Sequence, residues 1–196
     1  MKLLRTDGTL IHEGNFDNIR KLVEYCVRNG ISLERADLRG ADLRGANLYR
    51  ADFREAYLSE ADFRGADLEG ANFKGAILVC ADFREAYLYW ANFEGADLVC
   101  ADFREAKLRG ANFRGADLCY VIGNAKEIVS MQLDTYNIAF TKDTLQMGWK
   151  RHSIEDWKKF SDEKIAEIAE MDEEFLDWWN KWKDHIFKTI ELSNKE

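Results

Sequence analysis

The sequence predicts an all-β solenoid, a polygonal β-helix of about four coils with a cap at each end. Three observations lead to this fold class. Alanine occurs at position 36 and at every fifth residue through Ala116, which accounts for 17 of the 21 alanines in the chain. Leucine or phenylalanine follows two residues after each of these alanines, from Leu38 to Leu118. The chain has no proline, which would remove a backbone donor from every coil that it entered.

The period of five predicts the shape of each unit. Five is neither the 3.6-residue period of a helix nor the two-residue period of a strand. Within a unit, however, the small and the large apolar residue are two positions apart, as on one face of a strand. Each unit is therefore predicted to be a short extended stretch followed by a corner. Glycine stands at the fifth position of eight units, for example Gly40 and Gly65, where a turn tolerates it best.

The number of units in a coil follows from comparing the sequence with itself. Residues 71–90 match residues 91–110 at 15 of 20 positions, which favours four units per coil. The large core residue also alternates between Phe and Leu from Phe53 to Leu118, and like residues stack only if a coil has an even number of units. We therefore expect two stacked columns of rings, Phe53, Phe73, Phe93 and Phe113 in one, and Phe63, Phe83 and Phe103 in the opposite one.

Four segments are predicted along the chain. Residues 1–30 form an N-terminal cap, with a hairpin at Asp7-Gly8 and a helix that Asn29-Gly30 ends. Residues 31–120 form the solenoid, and residues 121–150 form short strands. Residues 151–196 are predicted to be helical. Their last helix is amphipathic and rich in aromatic residues, including Trp178, Trp179 and Trp182.

The helical region also carries start signals. Ser153 and Asp156 resemble a capping box, and Ser161-Asp162 precedes the next helical stretch.

Units such as ADLRG (36–40) and ADFRE (51–55) resemble the pentapeptide repeat family, whose consensus is A(D/N)LXX. The resemblance covers residues 31–120 and implies a right-handed quadrilateral β-helix. It also implies one specific function, because some members are similar to B-form DNA in size and charge and bind DNA gyrase, which they inhibit or protect from quinolones.

With four units per coil, the outward positions form columns, and one column is apolar where the repeat normally places polar residues. Contiguous exposed apolar surface of this kind marks a contact. Two explanations stay open: the C-terminal helix covers this apolar stripe within the same chain, or the stripe contacts a second copy or another protein. The apolar stripe consists of Tyr57, Ile77, Val79, Cys80, Val99, Cys100, Cys119 and Tyr120.

Two further columns are notable. The opposite side of the solenoid carries an aromatic patch, which is either a second contact surface or ordinary cross-strand packing: Tyr49, Tyr87, Tyr89 and Trp90. Another side alternates aspartate and arginine, in a charge ladder that is predicted to be a solvated structural face: Asp42, Asp62, Asp82 and Asp102 with Arg44, Arg64, Arg84 and Arg104.

The sequence does not favour catalysis, and we predict no enzyme activity, cofactor or metal site. The only histidines, His12, His152 and His185, lie outside the repeats, and neither a phosphate-binding loop nor a nucleophile elbow is present. Four cysteines without a CxxC pair are predicted to be free thiols, which suits the cytoplasm. No apolar run is long enough to span a membrane.

The charge separates the two functional hypotheses. A net charge of −8 disfavours direct binding of nucleic acid. It first suggests a DNA mimic acting on DNA gyrase or another DNA-binding protein, yet arginines run through the best acidic column of the repeats. We therefore predict a non-enzymatic interaction scaffold that binds an unidentified protein or self-associates, as a homodimer for example. The candidate contact surfaces are the apolar stripe and the C-terminal helix with Trp178, Trp179 and Trp182. The DNA mimic is the alternative.

Overall fold

The computed structural model describes residues 1–134, 136–169 and 174–193. The chain begins with an antiparallel hairpin of strands β1 (Lys2–Leu4) and β2 (Leu10–Glu13). Helix α1 (Ile19–Arg28) follows, and the side chain of Asn18 caps its N-terminus by accepting from the backbone N–H of Lys21. The helix buries Leu22, Val23 and Cys26 against the core of the repeats, so it covers the first coil.

In the repeats, residues of successive coils pair in a parallel direction. Single-residue bridges join residues 20 apart, for example Asp42 with Asp62 and Asp62 with Asp82. Apart from an antiparallel bridge between Ala36 and Arg5 of the cap, the pairing in residues 31–122 consists of such single bridges. The longer strands of the described residues lie in two antiparallel sheets outside this segment. A coil therefore contains four five-residue units, as the internal sequence match predicts.

The corners of the coils are made at the fifth position of each unit. From residue 35 to residue 120, every fifth residue has a positive φ, between 55° and 77°. In the unit of Leu38, Gly40 adopts this conformation and the N–H of Ala41 donates to the carbonyl of Leu38 over 3.1 Å. Glycine adopts it without steric cost, which explains the glycines of the repeat, whereas Cys80, Trp90 and Cys100 adopt it against their own preference.

The interior of the coils is filled by stacked side chains. The two predicted columns of phenylalanine rings are confirmed: within a column the rings are parallel, with centroids 4.9 to 5.2 Å apart. Rings of opposite columns meet edge to face, with centroids 5.6 to 6.1 Å apart. Both geometries are favourable for aromatic pairs. The leucines and the alanines of the repeat fill the remaining space.

A four-stranded antiparallel sheet follows the repeats. Its strands pair in the order β3 (Val129–Leu133), β4 (Tyr136–Phe140), β5 (Thr144–Met147) and β6 (Lys150–Ser153). Strand β6 differs from the prediction, which placed residues from 151 onward in helices. Its sequence, Lys-Arg-His-Ser, lacks the apolar alternation of a strand, and the pairing with β5 holds it in place.

In the described residues after β6, three helices confirm the helical C-terminal region: α2 (Ile154–Lys159), α3 (Asp162–Ala169) and α4 (Phe175–Ser193). The Ser153 side chain accepts from the N–H of Asp156 at the start of α2, as the capping signal predicts. The helices and the sheet share a second core, which includes Trp157 and Phe175. Within the described residues, none of the helices is both long enough and apolar enough to cross a membrane.

Candidate functional site

The charge ladder is a network of ion pairs along one side of the solenoid. The guanidinium of Arg64 lies 2.6 Å from the carboxylate of Asp62 in its own unit and 3.5 Å from that of Asp82 in the next coil. The other arginines of the ladder pair with their own aspartates over 2.5 to 2.7 Å. The hydrogen bond from Arg44 holds the pKa of Asp42 far below its ordinary value. The carboxylates are thus neutralised within the ladder and form no unbroken anionic row like that of DNA phosphates.

The apolar stripe lies on the neighbouring side and follows the coil axis. Residues 57, 77 and 97 pair from coil to coil through parallel bridges, and the N–H of Cys80 donates to the carbonyl of Val99. Tyr57 and Tyr120 are exposed, as are Cys80 and Cys100. Ile77, Val79, Val99 and Cys119 are half-buried by their neighbours. All members of the stripe therefore belong to one continuous face.

Two thiols of this face, those of Cys80 and Cys119, have a raised pKa, which makes them poor nucleophiles. Desolvation raises the pKa of Cys80, and the Cys100 thiol of the next coil raises it further. Desolvation also raises the pKa of Cys119. Because the thiolate is the reactive form, Cys80 and Cys119 act as small apolar groups at neutral pH. In the described part of the chain, no three His, Cys, Asp or Glu side chains are arranged to hold a metal ion.

Helix α4 does not cover the stripe, which corrects one of the two explanations for it. Its apolar face packs on the C-terminal sheet, where Trp178 and Trp179 are buried with Phe140 and Met147. These two tryptophans are therefore not part of an exposed contact surface. The indole N–H of Trp178 donates to the Leu133 carbonyl over 3.0 Å.

Trp182 is half-buried at the edge of the same core, so it is not a free surface anchor either. Its indole N–H donates to Asp134 over 2.8 Å. The described helix thus leaves the stripe open.

The aromatic patch is exposed on the opposite side of the solenoid. Trp90 is 61% exposed and Tyr87 is 50% exposed, which makes them prominent side chains of this surface. The ring of Trp90 lies over Gly110 of the next coil, where an added Cβ would be 2.6 Å from the ring. Tyr89 packs beside Trp90 at 5.9 Å, and Arg50 lies over the ring of Tyr49 at 5.0 Å. The absence of a side chain at Gly110 thus leaves room for the ring of Trp90.

The histidines lie in three separate elements. His12 in β2 stacks on Tyr25 at 4.8 Å, and His185 in α4 meets the edge of Trp182. His152 in β6 lies between Trp157 and Phe160, and desolvation lowers its pKa. Each histidine therefore packs against nearby aromatic rings.

Gln146 is a structural residue that the sequence did not reveal. It is buried, accepts from the N–H of Leu118 over 2.8 Å and donates to the carboxylate of Asp117 over 2.7 Å. These bonds fix the C-terminal sheet to the last repeat unit and so to the end of the apolar stripe. A glutamine between apolar neighbours gives no sequence signal of such a contact.

The model of the family described as Pentapeptide repeats matches residues 31–70, 66–89 and 86–121 of the chain, with eight copies. These are the residues that the parallel bridges join at 20-residue spacing. Residues 31–121, a little under half of the chain, thus match the pentapeptide repeat family. No curated protein sequence matches it.

Solved pentapeptide repeat proteins are similar to the chain over part of its length. One from the thylakoid lumen of Arabidopsis thaliana is 39% identical over 42% of this chain and 64% of its own, with a TM-score of 0.31. HetL of Nostoc sp., which is involved in heterocyst differentiation regulation, is 30% identical over 45% of this chain and 51% of its own, with a TM-score of 0.24. QnrB1, a plasmid-mediated fluoroquinolone resistance protein, is 27% identical over 43% of this chain and 59% of its own, with a TM-score of 0.22. The chain thus spans less than two thirds of each.

Proposed function

We propose that this chain is a non-enzymatic protein-interaction module, a right-handed quadrilateral β-helix that makes contact through its apolar stripe. The partner is a second copy of the chain or another protein. As the free cysteines predict, we propose that it acts in the cytoplasm, where thiols remain reduced.

The observation that carries the proposal is the composition of the stripe at positions that are polar elsewhere. The charge ladder places aspartate at the second and arginine at the fourth position of its units. The stripe places Ile77 at a second position and Val79 and Val99 at fourth positions, while the described part of α4 packs elsewhere. A run of apolar groups that crosses several coils is typical of a protein contact.

The shape of the stripe favours a protein over a small ligand or a nucleic acid. The coil interior beneath it is filled by Leu78 and Leu98, which are fully buried, so a small molecule finds no space between these coils. The units of this face carry four carboxylates and one arginine, so their net charge is negative and repels phosphates. These residues are Asp37, Glu60, Asp97, Asp117 and Arg39.

Sedimentation velocity with a matched pair of variants tests the proposal. Val99→Asp places one negative charge in the stripe. Asn112→Asp places one on another side of the same region, at a position where the repeat consensus allows aspartate. We expect the wild type and Asn112→Asp to sediment above monomer mass at concentrations up to about 100 µM, and Val99→Asp to be monomeric.

A capture experiment covers the case of a foreign partner. The wild type and both variants are immobilised and exposed to host lysate. A protein retained by the wild type and by Asn112→Asp but lost with Val99→Asp supports the stripe as a contact. If the wild type is monomeric and the wild type and both variants retain the same lysate proteins, the proposed function is wrong.

A further inference from the structure

We infer that the stripe face of one copy docks on the aromatic patch of the next copy, so that molecules associate side by side in an open row. The stripe face comprises the units that carry the apolar stripe, and the patch face comprises units 46–50, 66–70, 86–90 and 106–110, which carry the aromatic patch. This inference rests on the proposed function and names its partner, a second copy, and the surface that the partner presents.

The two faces lie back to back on one molecule. Phe53 and Phe63 are two units apart in the chain, and their rings meet edge to face across the core at 6.1 Å. Units two apart are therefore on opposite sides of the coil. The stripe residue Val79 and the patch residue Tyr89 have this separation. A contact between unlike faces thus leaves one of each free on the outer molecules of a pair.

The charges of the two faces are complementary. The stripe face has a net charge of −3. The patch face has a net charge of +1, from three cations and two carboxylates, although the chain as a whole has −8: Arg50, Lys107, Arg109, Asp67 and Glu69. Docking two stripe faces together would bring eight carboxylates against two arginines, which opposes a symmetric dimer through this face.

The heights of the side chains along the coil axis also match. Each coil of 20 residues rises by about 4.8 Å, so a residue on one face lies midway between the residues ten before and ten after it on the opposite face. In two parallel copies at equal height, the chain runs in opposite directions along the facing surfaces, and the second position of one face meets the fourth position of the other. Tyr87 then lies between Val79 and Val99 of the neighbouring copy, and Arg109 lies between Asp97 and Asp117.

The acidic groups are able to accept the arginine. One carboxylate oxygen of Asp97 accepts from the N–H of Val99, and one of Asp117 accepts from Cys119 and Gln146. The second oxygen of each accepts no hydrogen bond from the described part of the chain. The antiparallel arrangement, centred on the same tyrosine, would instead place Asp67 between Asp97 and Asp117. The parallel arrangement is therefore favoured, and because it is a translation, it continues from copy to copy without closing.

A mixing experiment tests the inference. Val99→Asp disables the stripe face and leaves the patch face intact. Tyr87→Asp disables the patch face, leaves the stripe face intact and restores the repeat consensus at its position. We expect each variant alone to be monomeric in sedimentation velocity at about 100 µM, and an equimolar mixture to form a 1:1 dimer and nothing larger. A mixture that associates also shows that both variants are folded.

The other outcomes separate this inference from the proposed function. If Tyr87→Asp associates like the wild type while Val99→Asp does not, the stripe contacts itself, so the inference is wrong and the proposed function stands. If the wild type is monomeric, the inference is wrong, and only the capture experiment can still support the stripe. Loss of association in both variants without recovery in the mixture also overturns it.

Salt provides a second readout on the unmodified chain. Contacts between unlike charges weaken with salt and contacts between like charges strengthen. We expect the association of the wild type to decrease from about 50 mM to about 500 mM NaCl. An increase would contradict docking of the acidic face on the basic one.

Discussion

Replacing Phe83 with leucine tests whether ring stacking, and not only buried area, holds the coils together. The ring of Phe83 is fully buried. It stacks on two rings, with centroids 5.0 Å and 4.9 Å away, and meets two others edge to face at 5.8 Å and 5.6 Å. Leucine already occupies the same position in other units, such as those of Leu78 and Leu88, so the variant keeps an apolar side chain that the repeat accepts.

The expected loss of stability follows from the number of ring contacts. An aromatic pair contributes about 0.5–1.5 kcal/mol beyond the area that it buries, and neighbouring contacts do not add fully, so losing four of them raises the cost to about 2–4 kcal/mol. Phe113, at the end of its column, has one stacked contact and one edge contact, at 5.0 and 5.8 Å. Phe113→Leu is therefore expected to cost about half as much, about 1–2 kcal/mol.

Equilibrium unfolding in urea, followed by far-UV circular dichroism, measures both variants. Circular dichroism is preferable to fluorescence because five of the six tryptophans lie outside the repeats. At an unchanged denaturant slope, the shift of the midpoint gives the change in the free energy of unfolding. Equal costs for the two variants, or a smaller cost for Phe83→Leu, would refute the reasoning from ring contacts.

Three further predictions concern the junction, pH and the DNA-mimic alternative. Gln146→Leu leaves the N–H of Leu118 without its acceptor, so it is expected to lower the free energy of unfolding by about 1–3 kcal/mol and to speed hydrogen exchange at that N–H. The control Gln132→Leu, at an exposed position, is expected to have little effect on either. The hydrogen bond from Arg54 lowers the pKa of Asp52, so this pair stabilises the fold above the ordinary pKa of aspartate and loses its effect as the pH falls below about 4. In Asp52→Asn, the melting temperature is therefore expected to fall less steeply with decreasing pH in this range. Because the ladder carboxylates are paired with arginines, about 10 µM protein is expected to leave DNA supercoiling by gyrase unchanged, and inhibition would revive the mimic.

The repeats could be predicted from the sequence in detail because two of every five positions determine their core. Once the self-match gives 20 residues per coil, the pairing of Phe83 with Phe63 and Phe103 follows without further information. The corners follow too, since Gly40 and its equivalents mark the position that needs a positive φ. Because the period is short, contacts between residues 20 apart can be predicted from the repeat alone.

The C-terminal region could be predicted only in part. The period of α4 shows which of its faces is apolar, but it does not show what that face meets, and two surfaces were available. The structure pairs it with the sheet, where Trp178 finds an acceptor in the Leu133 carbonyl. An indole N–H needs such a partner when it is buried.

The same reasoning explains why we place the proposed contact in the columns that depart from the repeat. Alanine and leucine or phenylalanine hold the coil, and the second and fourth positions are free to vary without loss of the core. Where they keep aspartate and arginine, as in Asp62 and Arg64, the charges pair with each other and leave little for a partner. Where they become Val79 and Val99 on one side and Tyr87 and Tyr89 on the other, nothing in the core requires the change. The surface departs from the repeat on two opposite sides, and these two sides have net charges of opposite sign. The simplest explanation is that the two sides contact each other in neighbouring copies of the chain.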